Sequence, residues 1–175
     1  MKLNKNSIKF LEKYVNTSSP TGYEHEGQKI WMDYIKPYVD KIEVDHYGTC
    51  YGIINPEADF KVVIEAHADE ISWYVNYITD DGLIYVIRNG GSDQAIAPSK
   101  VVNIHGEKGL VKGVFGWPAI HTRGNQNEPV PKIENIFIDC GATTKKEVEE
   151  FGVHVGCMIT YPDEFFELND RYFVC

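Results

Sequence analysis

The chain has 175 residues, a net charge of −9 from 17 Lys and Arg against 26 Asp and Glu, and 43% hydrophobic and 13% aromatic residues. A chain of this length can bury roughly 70% of its unfolded surface, and the aromatic content excludes a disordered polypeptide. The acidic balance opposes contact with phosphate backbones, so nucleic acid is not an expected partner. No run approaches the 18 or so apolar residues of a membrane span. The start, Met-Lys-Leu-Asn-Lys-Asn, leads into an amphipathic pattern without the apolar stretch of an export signal, so a cytoplasmic protein with no membrane association is expected. Cys50, Cys140, Cys157 and Cys175 are far apart and form no CxxC pair. They are expected as free thiols, with Cys140 and Cys157 acting as small buried hydrophobes.

Over residues 7–16, Ile8, Leu11 and Val15 share a helical stripe flanked by Phe10 and Tyr14, which predicts a helix. Ser18-Ser19-Pro20-Thr21-Gly22 breaks it with turn residues. A second helix is expected from Glu24 to about Tyr38, with Ile30, Trp31, Tyr34, Ile35 and Tyr38 on one face. Pro37 should end or kink it. From Lys41 the period changes: Ile42, Val44 and His46 alternate with polar residues, Tyr47-Gly48-Thr49 turns, and Tyr51 to Ile54 returns as a strand. The apolar run from Lys61 to His67 reads as a strand buried on both faces, as in an α/β sheet.

After Glu70 the texture becomes all-β. Ile71 to Ile78 and Leu83 to Ile87 flank the hairpin turn Asp80-Asp81-Gly82. Val101 to Ile104 and Leu110 to Phe115 flank a second turn, and strands at this spacing predict a small barrel or sandwich. Gly90-Gly91 reads as a turn or bulge. Residues 117–131, with three prolines, read as a long mobile loop, either functional or disordered. Trp73 and Trp117 could anchor an interface, but ordinary core or loop packing is the favoured reading for each. Ile136 to Asp139 is a strand, and Thr144-Lys-Lys-Glu147 is a capping box opening a short helix that Gly152 closes. Val153 to Tyr161, Phe165 to Leu168 and Tyr172 to Cys175 read as further strands.

Most chemical content lies in Ala66-His67-Ala68-Asp69-Glu70, at the C-terminal end of the 61–67 run. Residues i and i+2 of a strand face the same side, so His67 and Asp69 can share one cavity. Ligands of open α/β sheets bind beyond the carboxyl ends of strands. A carboxylate that holds one ring N–H of an imidazole orients the other nitrogen for a metal. The alternative for these two residues is a satisfied structural His–Asp pair. Of the other histidines, His25, His46, His105 and His154 read as structural or solvated, and His121, in the 117–131 loop, remains a candidate for a possible active-site loop.

Several blocks recur in a known order: Ser19-Pro20-Thr21-Gly22-Tyr23-Glu24, Asp45-His46-Tyr47-Gly48, Glu65-Ala66-His67-Ala68-Asp69-Glu70-Ile71, Gly90-Gly91, Ile138-Asp139-Cys140-Gly141-Ala142 and Gly152-Val153-His154-Val155-Gly156. In these blocks the chain resembles the glutamyl aminopeptidase (cellulase M-like) family of zinc- or cobalt-dependent aminopeptidases, which includes the tetrahedral dodecameric peptidases. The resemblance implies an α/β, phosphorylase/hydrolase-like aminopeptidase domain, here partial, with an inserted β-barrel domain. Residues 1–70 would be the N-terminal part of the catalytic domain, 71–163 the inserted oligomerisation barrel, and 164–175 a truncated return to the catalytic domain. It further implies that His67 ligates one of two divalent ions, that Asp69 is catalytic and orients it, and that short peptides lose N-terminal residues to a metal-activated water. A homo-oligomer, from dimer to dodecamer, is implied as well.

In relatives the bridging Asp, the paired Glu residues, another Asp and a second His lie further along than this sequence reaches. One His and an orienting Asp hold at most one weakly bound ion, since a catalytic zinc takes about three protein ligands. Three readings follow. One is an aminopeptidase whose remaining half lies outside this chain, so that the chain alone is inactive. The second is a non-catalytic assembly or binding module, and the third a carbohydrate-active protein.

Overall fold

The structure, a computed structural model, describes residues 3–123, 130–162 and 164–175. The chain divides into two units, one formed by the residues up to Glu70 together with the C-terminal segment after Pro162, the other by Ile71–Pro162. Among the described residues no helix is long and apolar enough to cross a membrane.

The first unit opens with α1 (Lys5–Val15), whose N-terminus is capped by the Asn4 side chain, which accepts the Ser7 N–H at 2.8 Å. The second helix, α2 (His25–Ile35), runs into a single 3-10 turn at Lys36–Tyr38. Pro37 lies in that tightened turn, where its missing N–H removes a helical bond. The two helices meet through Phe10 stacked on Tyr34, with ring centroids 3.9 Å apart, and a 2.9 Å hydrogen bond between the Ser7 and Tyr34 hydroxyls. A hairpin of β1 (Lys41–Val44) and β2 (Cys50–Ile53) follows. Gly52 lets β2 approach the end of α2, because a Cβ there would lie 2.6 Å from Ile35 Cδ1.

The second unit is a closed six-stranded barrel in the order β3-β4-β7-β6-β5-β8. Its strands are β3 (Ser72–Ile78), β4 (Ile84–Asn89), β5 (Val101–Gly106), β6 (Gly109–Gly116), β7 (Phe137–Asp139) and β8 (Met158–Thr160). Closure leaves no open sheet edge. Trp73, Val75, Ile84, Val102, Ile104, Phe115, Ile138 and Ile159 fill the interior, with Val148 of α3 (Lys145–Glu150) in the same cluster. Both expected hairpins are present, and Gly82 takes the left-handed φ of +85° that the first one requires. The Thr144 hydroxyl caps α3 by accepting the Glu147 N–H. Glu147 reaches back to the Thr143 N–H, one residue earlier than a standard capping box. After Leu168 of β9 (Phe166–Leu168) the chain turns back as β10 (Tyr172–Val174), a hairpin of the first unit.

Two expectations are corrected, for residues 61–67 and 153–157. Among the described residues, 61–67 form no strand, and no backbone–backbone hydrogen bond reaches them. Val62, Val63 and Ile64 face solvent, Ile64 with 95% of its surface exposed. An apolar run shows that a segment suits burial; the strands and helices that would bury it are a separate requirement, which the described residues do not meet. Trp73 takes the core-packing reading rather than that of an interface anchor: it is fully buried, edge-on to Phe115 at 5.3 Å, and its indole N–H donates to the Tyr161 hydroxyl at 3.2 Å. Residues 153–157 form a turn rather than a strand, with Cys157 N–H bonded to the His154 carbonyl and Gly156 at φ +94°. Cys157 is buried and Cys140 half-buried, and the four thiols are free.

Among the described residues, the buried hydrophobic side chains all lie between Trp73 and Ile159. Among the described residues the first unit buries no large apolar side chain.

Candidate functional site

The end of the 61–67 segment is fixed where its beginning is not. Glu70 is tied to Ser19 twice: its N–H donates to the Ser19 carbonyl at 2.9 Å, and its carboxylate accepts the Ser19 N–H at 2.6 Å. Pro20 and Glu70 form a parallel β-bridge. Ser19 is buried, so these bonds are sheltered from competing water.

Beside this clamp, His67 and Asp69 come together. His67 Nδ1 lies 3.0 Å from the Asp69 backbone carbonyl and 3.0 Å from Asp69 Oδ1. The other carboxylate oxygen, Oδ2, accepts the Thr21 hydroxyl at 2.5 Å. The Thr21 hydroxyl, more than any other group, holds the Asp69 carboxyl below the usual carboxylate range, and the His67 ring adds to the effect. Asp69 is therefore ionised at neutral pH and accepts only. Both neighbours of His67 Nδ1 are then acceptors, so Nδ1 carries a proton, and in the neutral ring the lone pair is on Nε2. That is the tautomer a metal-ligating imidazole uses. The His67 side chain is 85% exposed and that of Asp69 33%, so Nε2 is open to solvent rather than enclosed in a pocket.

His121 lies in a one-turn 3-10 segment, Ile120–Thr122, of the barrel unit and is exposed. It does not line the adjacent cleft of about 330 Å3, which Tyr85, Trp117, Arg123, Glu134 and Phe137 help to form. Arg123 there sits over Trp117, 3.3 Å from the ring centroid. Residues 124–129 of the predicted loop lie outside the described residues. His25 pairs with Glu26, His154 with Glu107 and His105 with Thr160.

Among the described residues no three His, Cys, Asp or Glu side chains converge as a metal site. One bare imidazole nitrogen is a single ligand, and the Asp69 oxygens are already engaged by His67 and Thr21. This donor set falls short of what a catalytic ion requires. The sequence marks His67 and Asp69 as a pair, whereas Ser19 to Thr21 read as a turn and a block of the family resemblance, with no site role. The contacts of Thr21 and Ser19 with the His67 region span 48 and 51 positions, beyond the reach of any local pattern.

Residues 48–175 match the M42 glutamyl aminopeptidase family. The chain is 29% identical over 166 residues to lysyl aminopeptidase from Pyrococcus furiosus, covering 93% of this chain and 48% of that protein. The TET aminopeptidase of a marine sediment Thaumarchaeota archaeon superposes with a TM-score of 0.88 at 26% identity, over 94% of this chain and 47% of its own. The TET1 peptidase of Pyrococcus horikoshii, which can assemble into a tetrahedron or a large octahedral shell, gives 0.78 at 29% identity, over 95% and 49%. The chain thus spans about half the length of these relatives. With its partial phosphorylase/hydrolase-like α/β part and its closed barrel, the chain belongs to the M42 glutamyl aminopeptidase family.

Proposed function

We propose that this chain contributes one metal-binding imidazole, His67, and its orienting and catalytic carboxylate, Asp69, to a metal-dependent aminopeptidase that removes N-terminal residues from short peptides. The observation that carries the reading is the pair of Asp69 oxygens, backbone carbonyl and Oδ1, each 3.0 Å from His67 Nδ1, which favours the Nδ1–H tautomer and leaves Nε2 of the neutral ring for a metal. In the complete site two divalent ions, zinc or cobalt, would activate a water towards the peptide carbonyl. The residues of this chain orient a ligand and hold a negative charge beside it. The remaining ligands and the general base would come from polypeptide outside it, so that the chain alone holds at most one weakly bound ion and is inactive.

The uncovered apolar face supports that division. Val62, Val63 and Ile64 stand exposed directly before the site, and burying a side chain of this size is worth about 1.5–3 kcal/mol. The additional polypeptide would gain that much at each position. His121 is kept as a candidate residue of a possible active-site loop.

For the barrel unit we propose a role in assembly. It has a closed core of its own, and Tyr77, Tyr85 and Phe137 form a run of ring contacts at 6.4 and 6.2 Å, with Tyr77 exposed. A homo-oligomer, from dimer to dodecamer, in the cytoplasm fits this surface and the assemblies of the Pyrococcus horikoshii relative.

The test is hydrolysis of aminoacyl-4-nitroanilides by a polypeptide carrying this chain and the remaining half of the family's length. Activity should vanish on chelation, return with zinc or cobalt, and fall by at least about 100-fold in His67→Ala, beyond the loss from removing a mere orienting partner. Chelator-insensitive turnover would contradict the proposal. So would hydrolysis of β-glucan without peptidase activity.

A further inference from the structure

We propose that Thr21 is a positioning residue: by clamping Asp69 Oδ2 it fixes the carboxylate that in turn fixes the ring and tautomer of His67. A carboxylate held at one oxygen can rotate and offer either oxygen to water. Asp69 is held at both, by the Thr21 hydroxyl at 2.5 Å on Oδ2 and by His67 Nδ1–H at 3.0 Å on Oδ1. Neither Asp69 nor His67 is deeply buried, so packing alone does not hold them, and the hydrogen bonds must.

The clamp is useful only if Thr21 is itself immobile. Two residues upstream, Ser19 is buried and bonded to Glu70 through both its N–H and its carbonyl. Between them Pro20 is buried and in β-bridge register with Glu70. Thr21 therefore projects from a turn anchored to the very segment it organises. The line of support runs from the Ser19–Glu70 bonds through Thr21 and Asp69 to the imidazole, and its residues are far apart in sequence but adjacent in space. The metal-site consequence rests on the reading of His67 as a ligand, whereas the tautomer consequence does not.

The test uses the 175-residue chain labelled with 15N-histidine, in long-range 1H–15N spectra taken above the imidazole titration range, His67→Ala assigning the resonance. Unaltered chain and Thr21→Ser should show His67 protonated at Nδ1. Thr21→Val, which keeps the branched shape and removes the donor, should show a mixture with the Nε2–H form. Asp69→Ala should show the same mixture, and adding Thr21→Val to it should shift nothing further. Cobalt affinity should fall several-fold in Thr21→Val and be restored in Thr21→Ser. An unchanged tautomer in Thr21→Val, with native dispersion of the remaining signals, would overturn the proposal. So would an additive further shift in the double variant. A tautomer shift without any His67-dependent cobalt binding would support the positioning role and instead overturn His67 as a ligand.

Discussion

Ser19 fits against α2 because residue 27 has no side chain: a Cβ on Gly27 would lie 2.3 Å from Ser19 Oγ. The Ser19 hydroxyl donates to the Thr17 carbonyl at 3.2 Å, so relieving the clash requires rotating it away from that acceptor. Gly27→Ala should therefore act with opposite signs in two places. It should firm the helix by about 1 kcal/mol through propensity and loosen the Ser19–Glu70 clamp by about 1 kcal/mol through the lost bond and the displaced rotamer. Hydrogen exchange should show faster exchange at the Glu70 amide and slower exchange within α2. Equal protection at Glu70 in both proteins would show that the missing side chain does not matter to the clamp.

The exposed 61–66 segment gives a sharper contrast. Ile64→Asp should change the stability of this chain by no more than about 0.5 kcal/mol, as for an ordinary surface position, and should reduce the binding of apolar dyes. The same substitution in a polypeptide of the family's full length should cost several-fold more, because it would place an unpaired carboxylate in a covered sheet. Chemical denaturation of both forms makes the comparison.

The barrel core should behave as a single packed unit. Phe115 is buried against Trp73, with ring centroids 5.3 Å apart, so Phe115→Ala should lower the stability of the barrel by about 3–5 kcal/mol. Hydrogen exchange at the Val102 and Ile104 amides would report it. A loss below about 1 kcal/mol would mean that the interior is not close-packed there.

Burial lowers the proton affinity of His105, whose Nε2 lies 3.0 Å from the buried Thr160 hydroxyl. A depressed histidine favours the folded state in its neutral form. Its contribution is therefore intact above the ordinary value of about 6.5 and is lost as pH falls through and below that value, because the unfolded chain binds the proton more readily. Barrel stability should decline on acidification through this window, and less steeply in His105→Gln. Parallel pH profiles for the two proteins would contradict this.

Much of the fold was legible because it is encoded locally. The 3.6-residue stripe around Ile8 and Leu11, the tightened turn at Pro37 and the glycine of the Thr79–Leu83 turn each depend on residues within one or two turns of chain. In β3 the simple alternation fails. Trp73, Val75 and Ile78 all point inward, because a register shift between Val75 and Tyr77 changes the phase by one residue and leaves Tyr77 outside. The 61–67 run misleads for another reason: its composition describes an environment that long-range neighbours must create. The site shows the same division. His67 and Asp69 are two positions apart and visible as a pair, whereas Thr21, Ser19 and Gly27 join them only in three dimensions.

The most direct test is a cobalt titration of this chain and of His67→Ala, followed by visible absorption, with nitroanilide turnover measured on the same samples. One weakly held ion is expected in the unaltered chain, none in His67→Ala, and no turnover in either. Equal cobalt binding by the two proteins would contradict the role of His67, and two tightly held ions with peptide hydrolysis by the 175-residue chain would contradict its dependence on further polypeptide.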